Sequence, residues 1–314
     1  MRKVLNKEHI EGRVYEHNLA IKTVQNSESK NFGKEFIGGT LDVATDEDCL
    51  NIVTVTFTYV TEMTSKGSKN ETFTALKNII ENGKTVLVDG KDVATLVKID
   101  TALAVNDFYT ARNGEETLVS AKRNEGGFVH IVNKLCDESA RNTFEMDMLI
   151  NGTRLVEADE ERNISADYLV VKGAVFNFRN AILPVEFIVK NPSGIKYFDS
   201  LDVSPSNMVF TKVWGKINSE TVKTVKTEES TFGEAKVTEY ERTVKEWVIT
   251  GTANEPYELD DEKNGITMEE IKKALADREV YLADVKKRQD EYQASKNSTT
   301  PAAGVTAAQG GFNF

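Results

Sequence analysis

Residues 51–82 read NIVTVTFTYVTEMTSKGSKNETFTALKNIIEN. Through Val60 the residues alternate, with Val53, Val55, Phe57 and Tyr59 set against Thr54, Thr56 and Thr58, the period of a strand with one buried face. From Glu71 the period lengthens. Phe73, Leu76, Ile79 and Ile80 fall on one face of a helix over 71–82, and Asn82-Gly83 supplies its stop. A strand, a loop and a helix follow one another here, with Phe57 and Tyr59 expected together in the core.

Working outward, alternating β-branched and aromatic runs place strands near 10–24 and 36–45 before this segment. After it come strands near 85–88 and 94–105, separated by the turn signal Asp89-Gly90, and near 117–121 and 128–134 around Asn113-Gly114. The second half has the same order: strands near 142–157, 168–178 and 182–190, a helical segment near 195–201, then long strands near 208–226 and 236–251. Three strands, a helix and two strands is the element order of the OB barrel. The expected fold is therefore mainly β: two OB-like β-barrel modules over 1–135 and 136–254, followed by a C-terminal helix and a disordered tail.

Composition shifts at Glu255. Glu255 to Glu262 form an acidic linker, and Thr267 with Glu270 makes a capping box that opens a helix to about 294. Its apolar stripe, Met268, Ile271, Leu275, Leu282, Val285 and Tyr292, is interrupted by Arg278 and Gln289. The helix can dock on the body or pair with another chain, so a homo-oligomer is possible. Residues 295–314 are rich in Ser, Thr, Ala, Gly and Gln, a composition unable to bury enough apolar surface to order itself. That tether ends in Gly-Gly-Phe312-Asn-Phe314.

A length of 314 residues with 39% hydrophobic and 28% charged residues suits about two globular domains. Net charge is −11, so any phosphate-binding groove has to be a local basic stripe on an acidic body. No run reaches the roughly 18 to 20 apolar residues that cross a bilayer, and the start has no apolar leader segment. A cytoplasmic protein without membrane association is expected. Cys49 and Cys136 are isolated in sequence and read as buried or neutral thiols.

Catalytic constellations do not emerge. His9, His17 and His130 share no metal-binding spacing, so neither a metal nor another cofactor is expected, and His130 in its apolar strand reads as core. Phosphate-loop and nucleophile-elbow motifs are absent. Gly38-Gly39 and Gly126-Gly127 read as bulges or tight bends inside strands. Acidic runs such as Asp46-Glu47-Asp48 read as solvated turns. No enzyme is expected.

The alternation in the second half is more informative. Along 208–217, Val209, Thr211, Val213, Gly215 and Ile217 suit an interior, which turns Phe210, Lys212, Trp214 and Lys216 outward. Along 168–179, Leu169, Val171 and Val175 point in, opposite Tyr168, Lys172, Phe176 and Phe178, and the next strand points Leu183, Val185, Phe187 and Val189 in. Outward aromatics can stack on bases without regard to sequence while lysines follow the phosphates. The same outward aromatics can instead pack beneath another layer. In the first half, Lys30, Lys34, Lys66, Lys69 and Phe32 occupy polar, glycine-containing loops of the kind that close over a strand.

The run from Gly33-Lys34-Glu-Phe36-Ile-Gly-Gly-Thr through Asp46, the doubled element order and the aromatic-tipped tail together resemble single-stranded DNA-binding proteins of tailed bacteriophages. The resemblance implies sequence-nonspecific binding of single-stranded DNA in phage or plasmid replication or recombination. It also implies recruitment of replication or recombination proteins by the tail, here through Phe312 and Phe314. The acidic half of such tips is missing: the nearest dense acids, Glu258, Asp260, Asp261 and Glu262, lie on the far side of the helix. A virion structural or assembly protein fits the same composition, and a metal-dependent nuclease using dispersed carboxylates is a further rival.

Overall fold

The computed structural model describes residues 4–112, 115–159, 164–228, 231–234, 236–259 and 265–298. Its strands are β1 (Asn6–His17), β2 (Ala20–Thr23), β3 (Glu35–Ala44), β4 (Ile52–Thr61), β5 (Leu96–Arg112), β6 (Glu115–Ile131), β7 (Asn142–Val156), β8 (Tyr168–Phe176), β9 (Ile182–Val189), β10 (Val209–Glu228) and β11 (Lys236–Thr252). The helices are α1 (Glu71–Asn82), α2 (Val86–Asp89), α3 (Pro192–Ser200) and α4 (Met268–Ser298). The chain is thus mainly β with a C-terminal helix. Among the described residues no helix is long and apolar enough to cross a membrane.

Local chemistry accounts for the departures from the sequence reading. The strand expected at 85–88 is the helical turn α2, because the Thr85 hydroxyl accepts from the Val88 N–H at 3.3 Å and Asp89 accepts from the Thr85 N–H at 2.8 Å. The strand expected over 10–24 breaks after His17 into β1 and β2, while the later runs of the first half merge into β5 and β6. His130 is exposed, not core, since its neighbour Val129 takes the inward position. Both glycine pairs do sit at ladder irregularities, Gly39 with φ +141° against β4 and Gly126 and Gly127 with φ +68° and +105° against β5. The expected turn at Asn113-Gly114, the acids Asp260 to Glu262 and the tail with Phe312 and Phe314 lie outside the described residues.

All eleven strands belong to one hydrogen-bonded sheet ordered β10-β11-β9-β8-β7-β1-β5-β6-β4-β3-β2, with two extra pairings, β10–β7 and β1–β3. Those extra ladders close two circuits: β1-β3-β4-β6-β5 returns to β1, and β7-β8-β9-β11-β10 returns to β7. Within each circuit one ladder is parallel, β4–β6 in the first and β9–β11 in the second. Helices α1 and α3 occupy corresponding places after the third strand. The circuits share the antiparallel ladder β1–β7, from Asn6 opposite Met146 to Ile10 opposite Asn142.

Gly12 lies where one edge of β1 passes from β7, whose ladder ends at Ile10, to β3, whose ladder begins at Arg13, while the other edge stays on β5. A Cβ there would run into the Ala44 carbonyl oxygen. Gly215 of β10 lies at the register shift of its ladder with β11, where a Cβ would meet the Val248 carbonyl. The apolar side chains of both circuits, including Ile10, Val55, Phe57, Phe144, Val171, Phe187 and Val213, form one continuous buried cluster.

Within this core lies a buried carboxylate. Glu8 of β1 is 2% exposed, and its Oε1 accepts from the Trp247 indole N–H of β11 at 2.8 Å. Its Oε2 has no partner among the described residues. Burial pushes this carboxyl from 4.5 up to about 8, the Trp247 hydrogen bond pulling the other way.

The folded chain therefore holds a proton on Glu8 that the unfolded chain releases above about 4.5. Stability is fully present below that pH, falls through the window up to about 8, and is level above it. The limiting slope is about 1.4 kcal/mol per pH unit for one proton. Glu8→Gln keeps the acceptor for Trp247 and removes the titration. Thermal melts between pH 5 and 8 are expected to fall less steeply for the variant than for the wild type, and the variant to be the more stable at pH 8.

Candidate nucleic-acid interface

The outward ladder of β10 has the facing that its alternation demands, for Thr211, Val213 and Ile217 are buried. Its charges, however, are already committed. The register sets Trp214 opposite Glu145 of β7, and the Lys212 ammonium pairs with that carboxylate while lying 5.9 Å from the Trp214 ring centre. The hydrogen bond to Glu145 raises the Lys212 pKa. Lys216 donates to the Ser139 carbonyl and to Asn142 Oδ1, and partial burial lowers its pKa. Lys172 pairs with Glu186 of β9 at 3.3 Å. Trp214 is 40% exposed, with its indole lying over Gly251.

The aromatics of this face divide. Phe176 and Phe210 are each 1% exposed, in an edge-to-face pair 6.3 Å apart that Ile266 and Ile271 cover and Tyr257 flanks. They are packing residues, which corrects their assignment to an open stacking surface. Tyr168 is half-buried at the start of β8, and Phe178 is 88% exposed beneath the Arg179 guanidinium at 5.2 Å.

Helix α4 does the covering, and it docks through the residues that interrupt its apolar stripe. The capping box closes as expected, Thr267 N–H to Glu270 at 3.0 Å and Glu270 N–H to the Thr267 hydroxyl at 3.1 Å. Ile271 and Ala274 are buried, Arg278 reaches the buried Asp107 of β5 at 2.7 Å, and Gln289 bonds both backbone groups of Tyr109 at 2.9 and 2.6 Å. Leu275 and Met268, counted by their hydrophobicity as part of the seam, face solvent.

At the far end of the first circuit the arrangement is different. Antiparallel pairing puts the start of β3 beside the end of β4 on one side (Phe36 opposite Thr61) and the end of β2 on the other (Lys22 opposite Phe36). The loops 24–34 and 62–70 therefore leave the sheet at one end. Between them the Phe36 and Tyr59 rings stand 4.7 Å apart, Tyr59 being 45% exposed instead of sharing the core with Phe57. Phe32, 57% exposed, lies in the first loop, where Lys34 bonds Asn31 Oδ1 at 3.2 Å. Lys66 sits in a turn held by Thr64 and Ser68, and Lys69 is bridged to Met63.

The electrostatics of this end follow from its partners. Among the described residues no carboxylate pairs with Lys22, Lys30, Lys34, Lys66 or Lys69. Residues 20–36 and 58–70 hold those five lysines against Glu28, Glu35 and Glu62, a local balance of +2 on a chain of −11. Phe36 and Tyr59 were missed by periodicity because the β3–β4 ladder slips between Ile37 and Gly39, so Val60, opposite the buried Ile37, packs on the core and Tyr59 turns outward. The Gly38-Gly39 bulge was the sequence signal that the alternation breaks there.

The YorF family model matches residues 5–288, nearly the whole of the described chain. The chain belongs to the YorF family. No curated protein matches this YorF chain. Among solved structures it is similar to a deletion mutant of the single-stranded DNA-binding protein from Thermus aquaticus, at 10% identity and a TM-score of 0.46, over 83% of this chain and 99% of that one. A likeness at that level transfers no residue role.

In the YorF chain α4 thus decides which aromatics are accessible. Arg278→Ala leaves Asp107 buried without its cation, a loss of about 3 kcal/mol. Chemical denaturation is expected to show a lower midpoint for this variant, and hydrogen exchange to speed up in 268–294.

Proposed function

We propose that this chain is a non-enzymatic, sequence-nonspecific single-stranded DNA-binding protein of phage or plasmid replication or recombination, acting in the cytoplasm of a bacterial host. Each closed circuit of five strands is then an OB-like barrel module, over 1–135 and 136–254, a reading supported by the matching strand order and the single parallel ladder in each. The observation that carries the function is the Phe36–Tyr59 pair at one end of the sheet, flanked by lysines that no carboxylate of the described residues neutralises. Aromatic faces take bases by stacking, and unpaired ammonium groups take phosphates by counterion release.

The sequence expectation favoured the second half, through Lys212, Trp214, Lys216 and Lys172. Those lysines would have to break ion pairs or hydrogen bonds to reach a phosphate, so the primary contact is assigned to Lys22, Lys34, Lys66, Lys69, Phe36 and Tyr59. Trp214, Tyr168 and Phe178 extend the path along the second half. The tail residues Phe312 and Phe314 recruit replication or recombination proteins, and homo-oligomers would lengthen the occluded strand.

Titration with oligo-dT at low salt is expected to produce a mobility shift, with affinity falling as salt rises and DNA left intact in Mg²⁺. Tyr59→Ala and Phe36→Ala each remove a stacking face worth about 1–3 kcal/mol, an expected loss of roughly 5- to 150-fold in affinity. Lys66→Gln and Lys69→Gln should each flatten the salt dependence by about 0.7 in logarithmic slope. Absence of any shift at low salt, together with large regular assemblies, would replace this reading with virion assembly; Mg²⁺-dependent degradation would replace it with a nuclease.

A further inference from the structure

The first-half strand that binds both circuits together carries a second cluster, far from Phe36 and Tyr59. His9 and Glu11, two apart on β1, present their side chains on one side of the strand. Cys136 approaches them from the connection between β6 and β7. One donor atom from each, His9 nitrogen, Glu11 oxygen and Cys136 sulfur, lies within 4.8 Å of the other two. Sequence spacing conceals the set, because the third donor is 125 residues from the second.

We propose that His9, Glu11 and Cys136 bind one divalent cation of the zinc class, which pins the connection between the two halves to their shared strand. The donor geometry carries this. His9 Nε2 and Glu11 Oε2 are 3.3 Å apart, close to the separation that a tetrahedral ion with bonds of about 2.0–2.1 Å imposes on its ligands. Cys136 stands in a loop and not in a ladder, so its sulfur is the donor with freedom to close on the ion.

The surroundings orient the donors as a metal site requires. His9 Nδ1 lies 2.8 Å from Asp100 Oδ1, directly across the ladder on β5. With the Nδ1 proton held there, the Nε2 lone pair faces the Glu11 carboxylate. In that tautomer Nε2 and the Glu11 oxygen are two acceptors 3.3 Å apart, a gap that a metal ion or a second imidazole proton fills. Glu11 is 5% exposed, and its Oε1 accepts from the Cys136 N–H at 2.5 Å, so its position is set by the same loop that brings the sulfur.

Charge fits as well. A neutral imidazole, a carboxylate and a thiolate balance a doubly charged ion. A thiolate donor selects the zinc class over magnesium or calcium, which take oxygen ligands. Arg141 does not compete, since its guanidinium is held by Glu47 at 2.7 Å and by the Cys136 carbonyl at 2.8 Å. Without a cation, burial and the neighbouring Glu11 push the Cys136 thiol up, the direction that an ion at the cluster reverses. A cleft of about 500 Å³ lined by Lys7, His9, Asp100, Phe128 and Glu145 opens beside the imidazole.

Cobalt(II) titration of EDTA-treated full-length chain, followed by thiolate-to-cobalt absorption, tests this directly. One equivalent is expected to saturate the band, and zinc to displace it. Cys136→Ser should abolish the band, His9→Gln should weaken binding at least tenfold, and Cys49→Ser should leave both unchanged. Melting temperature should rise with added zinc for the wild type and not for Cys136→Ser. A wild-type chain without a thiolate band at one equivalent, or a band that survives Cys136→Ser, overturns the proposal and leaves a proton bridging His9 and Glu11. The wild-type titration decides alone if a variant folds poorly.

Discussion

The structure depends on the backbone of β1, which forms ladders with β3, β5 and β7. A strand has two hydrogen-bonding edges, so three partners are possible only if one edge changes partner along its length. Gly12 marks that exchange, since no side chain fits between β1 and the Ala44 carbonyl. The two circuits cannot then be separated without breaking a ladder, and their apolar interiors join as one cluster. The same strand carries Glu8 into the core and holds His9 and Glu11 beside the connection between the halves.

Once β1 has fixed the halves relative to each other, α4 decides which outward surface remains. The helix is too polar along its stripe to be held by apolar burial alone. Its attachment comes from Arg278 with Asp107 and from Gln289 with the Tyr109 backbone, contacts whose partners sit on the β5 strand of the first half. Docking there buries Phe176 and Phe210 of the second half. A surface that alternation marks as outward is in this way converted into an interior by a segment more than fifty residues further along the chain.

Charge is redistributed by the same logic. Neighbouring strands place a carboxylate beside two of the outward lysines of the second-half ladder, Glu145 for Lys212 and Glu186 for Lys172. The loops at the start of β3 and the end of β4 have no such neighbours, because they project past the last ladder pairs. Glu47, in an acidic run that reads as a solvated turn, instead accepts from both Arg13 and Arg141, which hold its carboxyl below the usual range.

From the sequence alone came the order of elements in the second half, the helix α1, the inward faces of β8, β9 and β10, the capping box of α4 and the glycine-marked irregularities. These are properties of neighbours along the chain, and periodicity and local hydrogen bonding report them. Only the tertiary structure decided that Phe57 is enclosed while Tyr59 emerges, that Phe176 and Phe210 are covered, and that Cys136 meets His9 and Glu11. Each of those outcomes is set by a register shift between paired strands or by a contact between residues distant in sequence, and no local period records either.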